Sequence, residues 1–263
     1  MHEEQEEKLA FTEHLEELRK RFIICLVAVG IGFLLSYGFS KQLYQLLALP
    51  VRDVFDAEHS FIFTSLTEPF FTYLKLAFFA GIALASPVII YQTWAFIAPG
   101  LYRHEKKYAL PFVSLATTFF VAGVLFCFLV VFPIACNFFA GFAQAGLIEM
   151  KLKMSDYLSF SCMFMLAFGV VFELPIVILF LARIGVVNHQ QLVRSRKYVM
   201  LLAFVAGALL TPPDIISQCL MAIPLLGLYE ISIIVAKIFG KRPQPQDLEP
   251  DTPDTDVDEE PDE

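Results

Sequence analysis

Recurrent stretches of near-continuous apolar sequence set the limits of what this chain can fold into. A hydrocarbon core about 30 Å thick needs roughly 20 residues in a helix rising 1.5 Å each. Windows of that order cover residues 22–39, 70–97, 108–132, 157–182 and 215–238, and a shorter one covers 198–210. Prolines fall inside several of them: Pro87 in the second, Pro175 in the fourth and Pro224 in the sixth, while Pro133 follows the third and is expected to end it. The short window reaches only about 20 Å. It reads either as a re-entrant hairpin arm or as a span across thinned bilayer, and the basic residues before it with Asp214 beyond it favour a span.

Composition supports the bilayer as solvent. Hydrophobic residues make up 57% of the 263 residues and charged ones only 17%, with 28 Phe and mean hydropathy +0.64. A chain this apolar cannot cover itself with polar surface in water. The expected fold is therefore all-α, a polytopic membrane domain of six spans over residues 1–242, with a charged amphipathic helix at about 8–21 leading into the first.

Orientation follows from the basic residues. With the N-terminus inside, fourteen of the nineteen Lys and Arg fall on the inner side. Only Lys41, Arg52, Lys75, Lys151 and Lys153 fall outside. Basic residues are retained on the cytoplasmic face, so both termini are expected there, which requires an even number of spans. The net charge of −8 arises in residues 243–263, where ten acidic residues and no basic ones are punctuated by proline. Such a segment buries too little apolar area to fold, and a disordered cytoplasmic tail is expected. The first 21 residues carry seven Glu, the wrong composition for a cleavable signal peptide. The five cysteines form no CxxC pair and read as small apolar residues.

Three segments put charge where chemistry is possible. Residues 11–22 read FTEHLEELRKRF, with Leu15, Leu18 and Phe22 on one helical face and Glu16–Lys20 and Glu17–Arg21 at ion-pair spacing. This pattern suits a helix at the membrane interface. In the loop FIAPGLYRHEKKY, residues 96–108, Glu105 is the lone carboxylate among Arg103, Lys106 and Lys107. It is either a local salt-bridge partner or a receiver for a cationic ligand. Glu173 stands inside the fourth window, two residues before Pro175. A carboxylate at membrane depth costs about 2.5 to 3.5 kcal/mol on insertion scales and so faces a partner or a wet cavity. Glu230 in the sixth window invites the same reading.

Taken together, HLEELRKR, FIAPGLYRHEKK, FGVVFELP and TPPDIISQ, in this order, closely resemble the TatC family of twin-arginine translocases. The resemblance runs from about residue 8 to 240 and leaves out the acidic tail. It implies a cupped, glove-like six-helix architecture in the bacterial inner membrane. It also implies a receptor for twin-arginine signal peptides of folded cargo, working with single-span TatA and TatB partners, associating with further copies of itself and drawing on the proton motive force. By similarity, Glu17 and Glu105 would receive the paired arginines, Arg19 would orient that patch, and Phe96 and Pro99 belong to it. Glu173 would face the hollow. Thr211 and Gln218 would dock partner helices, and Pro50, Pro87 and Asp214 would shape the frame and its periplasmic cap. One departure is Lys197 before Tyr198, where some relatives have proline, which bears only on how the fifth helix starts.

Neither an enzyme nor a cofactor is expected: there is no P-loop, phosphate-cradling glycine loop or metal-ligand spacing, and no nucleic acid partner. Two rival readings stand beside it. A proton- or cation-coupled transporter of a small solute would use Glu173 but predicts internal repeats, which the chain lacks. An intramembrane hydrolase with a histidine base is excluded, because all five histidines, at 2, 14, 59, 104 and 189, lie outside the apolar windows.

Overall fold

A computed structural model describes residues 2–54, 61–97, 109–143, 152–210 and 214–240. Among these the regular structure is helical, apart from one isolated bridge between Ile62 and Lys153. The first helix, α1 (His2–Gly38), joins the charged N-terminal segment and the first apolar window without a break. No proline interrupts it and its first glycine is Gly30, so nothing in the sequence separates an interfacial helix from the span. Two short helices follow, α2 (Ser40–Leu47) and α3 (Leu49–Val54). The second window forms α4 (Glu68–Ile97), in which Pro87 is accommodated.

The third window corrects the expectation that Pro133 ends its helix. After α5 (Ala109–Phe126) the chain makes a π-helical turn, Cys127–Val131, and continues as α6 (Phe132–Ala143). The Phe132 amide bonds back to the Cys127 carbonyl, one residue further than in an α-helix. The wider turn lets the chain pass a proline whose missing N–H would otherwise break an α-helix. The fourth window is split into α7 (Met154–Phe172) and α8 (Leu174–Ile184), with Glu173 at the joint and Pro175 opening α8. Gly185, at φ 86°, ends α8 in the left-handed conformation that glycine adopts without strain. An antiparallel pair closes the described chain, α9 (His189–Leu210) and α10 (Ile215–Phe239).

Among the described residues, five stretches are long and apolar enough to cross a membrane: 14–38, 68–96, 111–141, 154–184 and 215–239. The fifth apolar window lies in α9, which is not among them, since its first turns read HQQLVRSRK.

The helices pack as an open sheet of rods. On one flank α1 lies chiefly against α4, with Gly32 and Gly81 at the crossing. In the middle α4, α5 and α7 pack together, and on the other flank α10 joins α8 to α9. The centre is an aromatic ladder on α7: Phe160 stacks on Phe164 with centroids 5.0 Å apart, Phe168 meets Phe164 edge to face at 5.2 Å, and Phe132 stacks on Phe164 at 6.3 Å. Offset aromatic pairs gain energy beyond their buried area. Outward-facing apolar side chains such as Leu34, Leu202 and Leu209 are 70%, 68% and 80% exposed, as lipid-facing positions must be. The protein is a multi-pass membrane protein.

Candidate functional site

The charged part of α1 is held against the last turns of α4. Arg21 does most of this. Its Nε and Nη2 donate to Glu17 Oε1 at 3.0 and 2.5 Å, and its Nη1 donates to Gln92 Oε1 on α4 at 3.1 Å. The planar guanidinium has donors to spare for both, which a lysine ammonium at the same place could not orient equally well. About two turns from Arg21 towards the N-terminus, the His14 ring stacks on Phe96 with centroids 4.4 Å apart and planes 23° apart. Glu17 and Phe96, two of the expected receptor residues, are thereby brought to the same end of the α1–α4 pair. Glu17 Oε2 takes no hydrogen bond among the described residues, and the side chain is 37% exposed. Arg19 is exposed, and the residue bonded to Glu17 is Arg21. Glu105 and Pro99 lie outside the described residues, but the segment that carries them leaves α4 directly after Ile97.

Glu173 occupies the joint between α7 and α8. Its amide bonds to the Val170 carbonyl, and its own carbonyl accepts from Ile176 and Val177. The carboxylate Oε1 is buried with no hydrogen-bond partner among the described residues. Its neighbours Val171 and Leu174 pack on the Ala203–Ala222–Leu225 cluster of α9 and α10.

Three polar contacts fix that α9–α10 pair. At one end Gln218 Nε2 donates to the Phe204 carbonyl at 2.7 Å, and Gly207 leaves the space that Gln218 occupies. Further along, the Tyr229 hydroxyl donates to the Leu192 carbonyl at 2.8 Å, and Arg196 Nη2 meets Glu230 Oε2 at 2.7 Å. Glu230 is therefore an ion-pair partner at the polar end of α9. Asp214 caps α10 by accepting from the Ser217 amide at 2.7 Å, which satisfies one of the first-turn donors. Thr211 lies outside the described residues. Pro50 is buried in α3, whose Val51 packs on Cys136 and Ala140 of α6, and Pro87 is exposed on α4.

One carboxylate escaped the sequence reading. Glu68, at the start of α4, is 9% exposed and accepts from the Thr64 amide at 2.7 Å, the Thr64 hydroxyl at 3.0 Å and the Ser155 amide at 3.2 Å. It joins the segment before α4 to the first turn of α7. The signal that could have found it is an acid between Thr67 and Pro69 at the mouth of an apolar run, a helix-start pattern. Gln92 and His14 carried no such signal, since their partners are distant in sequence.

Known proteins resemble the chain over most of its length. Residues 13–224 match the family model described as Sec-independent protein translocase protein (TatC). A protein of that description from Desulforapulum autotrophicum is 47% identical over 238 residues, covering 90% of this chain and 88% of its own. Its counterpart in Escherichia coli is 40% identical over 226 residues, covering 86% and 87%. A crystal structure described as the twin-arginine translocase receptor TatC superposes with a TM-score of 0.79 at 42% identity, covering 86% of this chain and 98% of that one.

Proposed function

Since this chain belongs to the TatC family of Sec-independent protein translocase proteins, we propose that it is the core signal receptor of a twin-arginine translocase in the bacterial cytoplasmic membrane. It binds the paired arginines of a signal peptide at Glu17 and Glu105. The observation that carries this reading is the docking of α1 on the end of α4 through Arg21–Gln92 and His14–Phe96. That docking holds one carboxylate, partly exposed and with an oxygen to spare, at the root of the segment that bears the other. Each guanidinium prefers a carboxylate able to accept two parallel bonds, a geometry that lysine cannot match. Arg21 orients Glu17, and exposed Arg19 belongs to the same patch.

The rest of the reading rests on the family and on chemistry. Both termini lie in the cytoplasm, and α9 serves as a sixth, short span across locally thinned bilayer. The α9–α10 pair, with Thr211 and Gln218, docks TatA and TatB helices against the exposed Leu201 and Val205 of α9. Glu173 offers an unpaired carboxylate oxygen to such a helix or to water. The proton motive force supplies the energy, as the sequence has no nucleotide-binding motif.

The test is site-specific photocrosslinking of a twin-arginine signal peptide to probes beside Glu17 and Glu105, set against a twin-lysine peptide and against Glu105→Ala. Crosslinks lost with either change support the receptor. Crosslinks indifferent to both remove the recognition chemistry and return the solute-transporter reading to consideration. Undiminished export by Glu173→Ala would separately remove the role given to that residue.

A further inference from the structure

An apolar cleft of about 320 Å³ lies between α2, α4, α5 and α7. Its walls are Leu43 and Leu47 of α2, Leu76, Phe79 and Ala83 of α4 and Met165 of α7. The volume lies near the lower end of small-molecule sites, about 300 to 1,000 Å³. The cleft is built into the fold. Tyr44 meets Tyr73 edge to face at 5.9 Å, and the Tyr157 hydroxyl donates to the Leu47 carbonyl at 2.8 Å, so α2 is fastened to both α4 and α7. Leu46 and Leu84 at the rim are 47% and 59% exposed.

Lys75 stands beside this cleft. It is one turn from Phe79 along α4, on the side of that helix towards Glu68, and it is exposed. Lys75 and Glu68 are the only charges between residues 68 and 97. Glu68 is committed to Thr64 and Ser155, and Lys75 has no carboxylate partner among the described residues. Seven residues below the start of α4, its Cα lies about 10 Å along the helix, within the span. An ammonium at that depth extends its stem over apolar surface towards the headgroups, where an anion can pair with it.

We propose that this cleft is a phospholipid site. An acyl chain occupies the apolar cleft and the headgroup phosphate pairs with Lys75, in the leaflet on the α2 side. The pairing of an apolar cleft with exposed Lys75, one turn from its Phe79 wall and without a carboxylate partner among the described residues, favours a phospholipid over a helix of another protein. A helix seated there would have to bring its own buried anion to meet Lys75.

The test uses the full chain in phosphatidylethanolamine–phosphatidylglycerol vesicles that contain phosphatidylglycerol with a photoreactive diazirine in its acyl chain, with adducts mapped by peptide mass spectrometry. Labelling is expected to concentrate on residues 43–47, 76–84 and 162–166, above the level at lipid-facing Leu202. Lys75→Gln is expected to lower cleft labelling about fivefold, and Ala83→Trp, which fills the cleft, to abolish it, with Leu202 labelled equally throughout. Should Ala83→Trp fail to fold, Lys75→Gln decides alone, because its exposed side chain supports no packing. Cleft labelling no higher than at Leu202, or labelling unchanged in Lys75→Gln, overturns the proposal. So does a photoreactive residue at position 84 that captures a protein helix in intact membranes instead of lipid.

Discussion

Gly32 of α1 and Gly81 of α4 cross so closely that a Cβ on Gly32 would lie 2.5 Å from the Gly81 carbonyl oxygen, and one on Gly81 would lie 2.5 Å from the Phe33 amide. Both obstacles are backbone and cannot swing aside. Without a hydrophobic drive between helices in lipid, such small-residue crossings are what allow close packing. α1 lies chiefly on α4, so this crossing is the main anchor of the helix that presents Glu17. Gly81→Val should destabilise the protein by about 1 to 3 kcal/mol or more, the cost of overpacking. It should also weaken signal-peptide binding, although the peptide lies far along the helix. Thermal melting in detergent and peptide anisotropy measure the two. Gly30→Val, where a Cβ meets nothing within 4 Å, is the matched control and should change neither.

Arg21 links the receptor carboxylate to α4, and its removal separates orientation from competition. Loss of a hydrogen bond to a charged group costs about 1.5 to 3 kcal/mol. Since Glu17 is 37% exposed, water restores part of that, and an affinity loss of about tenfold for a twin-arginine peptide is expected from Arg21→Ala. Gln92→Ala should weaken binding in the same direction by less. Tighter binding by Arg21→Ala would show instead that Arg21 competes with the peptide for Glu17.

Hydropathy made the helical framework legible, because membrane helices must be apolar over a fixed length. It placed every window on helix, although the helices of the first, third and fifth windows run on well beyond them. It failed at Pro133, where a π-helical turn passes the proline, since local sequence gives no warning of a widened turn. It left α9 ambiguous because the polar residues 189–197 are helical too. At the site, the Glu17–Arg21 pair was readable as a four-residue spacing. The Arg21–Gln92 and Glu68–Ser155 bonds were not, as each joins segments more than seventy residues apart. Glu105 was readable as the lone carboxylate of a basic loop, whereas Thr211 entered only through the family resemblance.

The α9–α10 pair offers two contacts of unlike weight. Arg196 and Glu230 are about half exposed, so their 2.7 Å ion pair should contribute less than about 1 kcal/mol and weaken with salt. Either single alanine should shift melting only slightly, and the exchanged pair Arg196→Glu with Glu230→Arg should recover the wild-type value. Gln218→Ala removes an interhelical bond to the Phe204 carbonyl, worth about 0.6 to 1.7 kcal/mol in a membrane, and leaves a gap beside Gly207. It should lower the melting temperature more than either charge variant. Equal effects from all three variants would mean that the pair is held by its apolar contacts alone.

Glu68 makes the last prediction, because its two oxygens bind different segments. Oε2 accepts from Thr64 and Oε1 from the Ser155 amide. That amide is a first-turn donor of α7, which no intrahelical carbonyl can satisfy. Beside it, Ile62 and residues 152–154 exchange two backbone bonds of 3.0 Å, a bridge too short to persist without support. Glu68→Ala should therefore free both ends at once. At about 1.5 kcal/mol or more for a bond to a charged acceptor, hydrogen exchange at the Thr64 and Ser155 amides should accelerate more than tenfold. The amides of Ile62 and Met154 should follow, while those in the middle of α7 should not. Faster exchange at Thr64 alone would show that the carboxylate serves only the start of α4, and that the bridge stands without it.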